Sequence, residues 1–166
     1  MTNDIVFRIA ILGDLPTIVE IYNSTIPSRM VTADTEPVTV EDRLDWFHEH
    51  TPEKRPLWVA EYDGTICGWV SLQSFYGRPA YDATAEISIY LHENFRGKGL
   101  GKKILGKVIG ECPKLGIETL LGFIFAHNEP SLRLFFDFGF EKWGLLPEVA
   151  KLDGIKRDLV IVGKKV

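Results

Sequence analysis

The chain has 166 residues and a mass of 18.8 kDa, with 45% apolar and 25% charged residues. That length suits one domain, and the composition excludes disordered, collagen-like and coiled-coil classes. The net charge of -4 speaks against general nucleic-acid binding, and the longest apolar run, 120–126, is far short of the roughly 20 residues of a spanning helix.

Asp4 and the lack of a basic-then-apolar start argue against a secretory leader. Cys67 and Cys112 are far apart and have no CxxC spacing, so reduced thiols in a cytoplasmic protein are expected.

In chain order, 5–10 reads as a first strand. Asp14 is placed to cap a helix through about Ser24, with Pro16 in its first turn and Leu15, Ile18, Val19 and Tyr22 at helical spacing. Residues 25–38 are polar and carry Pro27 and Pro37, so a loop is predicted. Thr39 with Asp42 resembles a capping box, and a second helix to about His50 would bury Leu44 and Phe47. Asp63-Gly64 joins strands 58–62 and 66–74 into a hairpin.

A loop over 75–82 leads to a strand over 83–91. On that strand Ala85, Ile87, Ile89 and Leu91 share one face, and Glu86, Ser88 and Tyr90 share the other. A helix over 100–112 carries an apolar stripe and ends at Pro113 and Gly116. A buried strand over 119–125 follows, then a short helix capped by Asn128 and closed by Gly139, then strands 140–146 and 156–162. Hairpins alternating with crossovers indicate a mixed α/β sheet in one domain over 1–166 rather than a doubly wound parallel one.

Most chemical information lies in 90–102, where a strand ends, a glycine-rich turn follows and an amphipathic helix begins. Glycines let backbone N–H groups converge, and a helix start favours a phosphate. Arg96, Lys98, Lys102, Lys103 and Lys107 cluster here in an otherwise acidic chain. The dinucleotide fingerprint GxGxxG fails because Lys102 stands where its last glycine belongs. The P-loop fails at Arg96 and Lys103.

The pattern that fits is RxxGxG, from Arg96, Gly99 and Gly101. It resembles the acetyl-CoA pyrophosphate loop of the GNAT N-acetyltransferase superfamily. The sequence from Asn128 through Ser131, with Gly139-Phe140, resembles that superfamily's second cofactor motif. Tyr81-Asp82-Ala83-Thr84-Ala85-Glu86 is similar to the Tyr-Asp-x-Thr-(Ala/Val)-Glu strand of the phosphinothricin and methionine sulfoximine acetyltransferase group. So are Arg8-Ile9-Ala10, Asp14, Ile18, Ile21, Tyr22 and Asn23 at the start.

The resemblance spans about 6–162. It implies a GNAT-type domain whose central, mostly antiparallel sheet is splayed at the acetyl-CoA site, with helices flanking it. It further implies cofactor contacts from Ile89, Tyr90, Leu91, Arg96, Gly97, Lys98, Gly99, Leu100, Gly101, Lys102, Asn128 and Ser131.

A Glu inside an apolar sheet needs a partner or a task. By resemblance, Glu86 is the general base that deprotonates the acceptor amine, with backbone N–H groups near 89–91 facing the developing oxyanion. No metal is expected, since the four His residues show no ligand spacing. Phe135 stands where many members carry the Tyr that protonates the leaving thiolate. The loop 75–81 corresponds to the group's substrate loop, where Arg78 and Tyr81 are candidate acceptor contacts and Arg78 could hold an α-carboxylate. Trp46, Trp58, Trp69 and Trp143 read as core or interface residues.

The implied function is acetyl transfer from acetyl-CoA to the amine of a small amino acid or analogue, in a homodimer. The alternatives are a protein or peptide acetyltransferase of the same fold and a non-catalytic CoA sensor. Glu86 beside an intact loop favours the enzyme.

Overall fold

Apolar-rich runs separated by turns that carry Gly, Pro or Asp produce seven strands of four to twelve residues in the computed structural model, which describes residues 5–166. They are β1 (Val6–Ile9), β2 (Leu57–Tyr62), β3 (Thr65–Ser74), β4 (Thr84–Leu91), β5 (Thr119–Phe125), β6 (Glu141–Leu152) and β7 (Ile155–Lys165). The four helices are α1 (Leu15–Thr25), α2 (Leu44–His48), α3 (Leu100–Glu111) and α4 (Glu129–Asp137). One sheet takes the order β1-β2-β3-β4-β5-β7-β6. Only β4 and β5 pair in parallel; the other pairings are antiparallel. Asp4, which bears on the expected lack of a leader, lies outside the described residues.

The two faces of the sheet bury different helices. On one, Ile104, Leu105 and Val108 of α3 and Phe135 of α4 pack with Val70, Leu72, Ala85, Ile87, Leu120 and Val162. On the other, Leu15, Ile18 and Ile21 of α1 pack with Leu57, Val59 and Trp69, whose indole Nε1 donates to the Ile18 carbonyl at 3.0 Å. Each of these aliphatic side chains contributes about 1.5–3 kcal/mol by leaving water. The second core stops near β4, so the face of β5, β7 and β6 on the α1 side is left more open: Trp143 is 44% exposed there.

Several local expectations need correction. Asp14 does not cap α1 through its side chain. Its carboxylate instead accepts both Arg8 guanidinium N–H groups, at 2.7 and 2.9 Å, and the Ile11 amide at 2.8 Å. An ionic partner outcompetes the neutral cap, and the pair, with Arg8 first, holds the Asp14 pKa below its ordinary value. The Thr39–Asp42 box does form, with reciprocal bonds of 3.0 and 3.2 Å. It opens a 3-10 turn over Glu41–Arg43, so the regular helix begins only at Leu44 and ends at His48.

β6 and β7 run longer than their apolar patterns suggest. Pro147 reads as a stop, yet the register shifts between Leu146 and Ala150 place it in a bulge, where its missing N–H costs no ladder bond. Glu148, at φ 50°, donates its amide to Asp158 at 2.8 Å instead. The hairpin turns at Asp63-Gly64 and Asp153-Gly154 both take positive φ at both residues, the geometry that matches strand twist.

Candidate active site between two diverging strands

β4 and β5 pair only through Thr84↔Thr119, Ala85↔Leu120 and Glu86↔Leu121. Beyond that point β4 stays paired with β3 as far as Gly68↔Leu91, and β5 with β7 as far as Phe125↔Leu159. The two strands therefore diverge, each held on its outer edge, and leave a wedge between their inner edges. A cavity of about 300 Å³ fills the wedge, with residues 86–91 on one side and 122–125 on the other. Glu86 stands at its closed end, where pairing stops.

The open end leads from Leu91 into the glycine turn. Gly97 (φ 76°) and Gly99 (φ 73°) are left-handed, a conformation that strains a side-chain-bearing residue. Gly101 serves differently: a Cβ there would lie 3.2 Å from Leu134 Cδ2, so its hydrogen lets the start of α3 approach α4 closely. Arg96, Gly97, Gly99, Gly101 and Lys102 line the cavity. The first-turn amides of the twelve-residue α3 add the positive end of its dipole. Arg96 is steadied by Glu93 at 3.1 Å, and Lys102 by Asp137 at 3.8 Å.

Two of the expected contact residues are not in the cavity lining. Lys98 is exposed outside the cavity lining, and the Leu100 side chain is 2% exposed in the core beneath the turn, so only its backbone amide remains for a phosphate.

The α4 side contributes Asn128, Pro130, Ser131, Leu134 and Phe135. Asn128 caps the helix as predicted, its carboxamide oxygen accepting the Ser131 amide at 3.3 Å. Phe135 is buried edge-on against Phe140 at 4.9 Å, so this position offers no hydroxyl. Gly122 allows that approach, because a Cβ there would meet Val162 Cγ2 at 3.0 Å and Phe135 Cε1 at 3.4 Å.

Glu86, Ile89, Tyr90 and Leu91 all line the wedge. Glu86 faces Gln73 across β3 and Leu121 across β5. Burial raises its pKa, which suits a carboxylate that must accept a proton near neutral pH. The Tyr90 ring lies on the α1 face, stacked on Trp69 at 4.6 Å.

Arg78 and Tyr81 lie outside the cavity. Both are exposed on the β3–β4 loop, where Tyr81 joins Phe75 and Tyr76 in an aromatic cluster at 5.5 and 5.8 Å. The loop is anchored at its ends by the buried Arg55, which donates to Ser74 Oγ at 3.1 Å and to the Asp82 carbonyl at 2.7 Å. Arg78 is thus exposed and absent from the lining of the cavity.

Sequence reading missed Met30, Val31, Ser88 and Phe123 in the lining. Ser88 was recoverable, since it shares the Glu86 face. Met30 and Val31 sit in a loop without periodicity, and nothing local marks them.

No group of three or more His, Cys, Asp or Glu among the described residues could hold a metal ion. The donors that line the wedge are backbone edges, a helix start and basic side chains. That set suits a ligand with phosphates at one end and an extended, amide-bearing arm at the other.

The comparisons agree with this geometry. The Acetyltransferase (GNAT) family matches residues 17–140. The chain is 55% identical over 160 residues to YwnH of Bacillus subtilis (strain 168), a candidate phosphinothricin acetyltransferase, covering 96% of this chain and 98% of that one. It is 30% identical to the L-amino acid N-acyltransferase MnaT of Escherichia coli (strain K12), covering 93% and 90%. The crystal structure of a GNAT superfamily phosphinothricin acetyltransferase from Sinorhizobium meliloti in complex with AcCoA superposes with a TM-score of 0.90 at 29% identity, covering 98% of this chain and 88% of that one. With a seven-stranded sheet parted between its parallel strands, a glycine turn opening α3 and a family match over most of its length, the chain belongs to the GNAT family of acetyltransferases.

Proposed function

We propose that the protein transfers the acetyl group of acetyl-CoA to the amine of a small amino acid or analogue, of the phosphinothricin or methionine sulfoximine kind. The observation that carries this reading is the half-buried Glu86 at the closed end of a wedge whose open end is the glycine turn. Arg96, Lys102 and the α3 amides take the phosphates of CoA, and the inner edge of β4 pairs with the pantetheine arm as an added strand. That places the thioester beside Glu86.

Glu86 accepts a proton from the ammonium of the acceptor, directly or through a water, and the freed amine attacks the carbonyl carbon. Backbone N–H groups of 89–91 stabilise the oxyanion. The attacking nitrogen gives up its extra proton to solvent water, and the carbon–sulfur bond breaks to leave the amide and the CoA thiolate. Because Phe135 lacks a hydroxyl, the thiolate takes its proton from water, which its pKa of about 8.5 permits.

The chemistry of the acceptor is supported by the names of YwnH, MnaT and the Sinorhizobium meliloti enzyme. We place the enzyme in the cytoplasm, a reading supported by two buried free cysteines. We also assign it a homodimeric state, supported by Trp143, Leu145, Leu146, Val149 and Ile155, which lie 40–58% exposed on the β6–β7 hairpin. Among the described residues no helix is long and apolar enough to cross a membrane.

The test is a thiol-release assay of the purified protein with acetyl-CoA against the free amino acids, phosphinothricin, methionine sulfoximine and a panel of peptides. Turnover of free amino acids or these analogues is the expected result. Turnover confined to peptides, or none with any amine, overturns the reading.

A further inference from the structure

The segment 29–32 runs across the wedge from the β5 side to the β4 side, and most of its ties come from distant parts of the chain. Arg29, left-handed at φ 58°, sends its guanidinium Nε to Asp153 in the β6–β7 turn at 2.7 Å. Its carbonyl accepts from His127 Nε2 at 2.9 Å. The Met30 carbonyl accepts from Asn128 Nδ2 at 3.1 Å. On the β4 side, Thr32 meets the Tyr22 hydroxyl, which also reaches Asp34. Between these ties Met30 and Val31 line the same cavity as Glu86. CoA would enter from the glycine turn and α4, so this strap is the wall left for the acceptor.

Asn128 belongs to both walls. Its oxygen accepts the Ser131 amide and starts α4 beside the cofactor arm, and its NH₂ holds the Met30 carbonyl. We propose that Asn128 is a positioning residue for the acceptor: it fixes the Met30–Val31 wall against the start of α4, so that the amine meets the thioester at a set distance from Glu86. The proposal rests on the acetyltransferase reading above.

The two bonds are separable because they use different atoms. Asn128→Asp keeps a capping oxygen and removes the side-chain donor to the Met30 carbonyl. Asn128→Ser keeps a capping oxygen without adding charge, and its side chain is too short to span the same gap. Tyr22→Phe loosens the other end of the strap without touching α4. Each variant is assayed by titrating the acceptor at saturating acetyl-CoA, with the CoA Kd measured separately by calorimetry.

All three are expected to raise the acceptor KM roughly tenfold, the loss of about one hydrogen bond, and in Tyr22→Phe, whose residue is not among the cofactor contacts, the CoA Kd should change less than about twofold. Hydrogen exchange should quicken at the amides of 29–34 in each variant while those of α4 stay protected. An unchanged acceptor KM in Asn128→Asp and Asn128→Ser overturns the proposal, as does a CoA Kd that rises in step with KM in Tyr22→Phe. If the wild-type protein turns over no amine, the acetyltransferase reading fails. In that case exchange at 29–34 still decides whether Asn128 holds the strap, and unchanged exchange in the variants refutes it.

Discussion

The two ends of the wedge are built differently. The cofactor end, residues 86–102 with the start of α4, is made of backbone that is nearly contiguous in the chain, and its shape depends on glycine conformation and a helix start. The proposed acceptor end is held by side-chain bonds, two of them between residues far apart, Arg29 with Asp153 and Met30 with Asn128, and a third between Thr32 and Tyr22. A backbone-built site recognises what every cofactor of its kind shares, namely phosphates and amides. A site built from side chains on a loop can change its acceptor without disturbing the cofactor grip.

The comparison predicts effects that differ in size and kind between the two ends. The largest falls where they meet. Glu86→Gln should lower kcat by about 10²–10⁴-fold, the usual worth of a general base, and leave the CoA Kd nearly unchanged. In the wild type, kcat/KM should climb with pH through a carboxylate pKa above the ordinary range, because burial favours the protonated form and only the ionised form acts as base. Pre-steady-state rates across pH check both. A variant with wild-type activity at neutral pH removes Glu86 from this role.

At the cofactor end, Gly99→Val should weaken CoA binding about 10- to 100-fold. The β-branched side chain cannot hold φ 73° without strain, and the α3 amides then turn away from the phosphates. Calorimetry reads the loss directly, and thermal melting should show the sheet intact. Affinity equal to wild type would mean that the phosphates bind elsewhere.

A smaller effect is expected in the scaffold. Asp14→Asn should cost about 1–2 kcal/mol of stability at pH 7, discounted because Arg8 is partly exposed. The folded Asp14 pKa is depressed by Arg8, so this stability is present above the unfolded carboxylate pKa and lost as pH falls through the folded value. The gap between wild type and variant in urea melts should therefore close towards strongly acidic pH. A gap that persists there would assign the loss to packing rather than to charge.

The smallest effect tests the loop that the structure leaves outside the cavity. Arg78→Ala should change kcat/KM less than about threefold for an amino-acid acceptor. A tenfold loss that vanishes when the acceptor carboxylate is amidated would instead place Arg78 on the substrate and extend the acceptor end beyond the strap.

Much of the cofactor end was legible because its determinants are local. The turn needs positive φ at Gly97 and Gly99 and a side-chain-free Gly101, and the Asn128 cap needs a donor only three residues away. Period-two alternation put Glu86 on the face away from Ala85 and Ile87, and both of those are buried on the α3 side as expected. Asp14 was misread because a cap and an ion-pair partner use the same carboxylate, and only the register of β1 beside α1 brings Arg8 to it.

By itself, then, the amino-acid order determined most of the strands, their facing, the glycine turn and the side of β4 on which Glu86 stands, since each depends on residues within a turn or two along the chain. Tertiary structure alone decided where β4 and β5 part, that Met30 and Val31 close the wedge, and that Arg78 stays outside it. Those outcomes depend on bonds such as His127 to Arg29, spanning 98 residues, and on Arg55 pinning the β3–β4 loop. Such bonds form only when packing of the whole chain brings their partners together, and no short-range pattern encodes them.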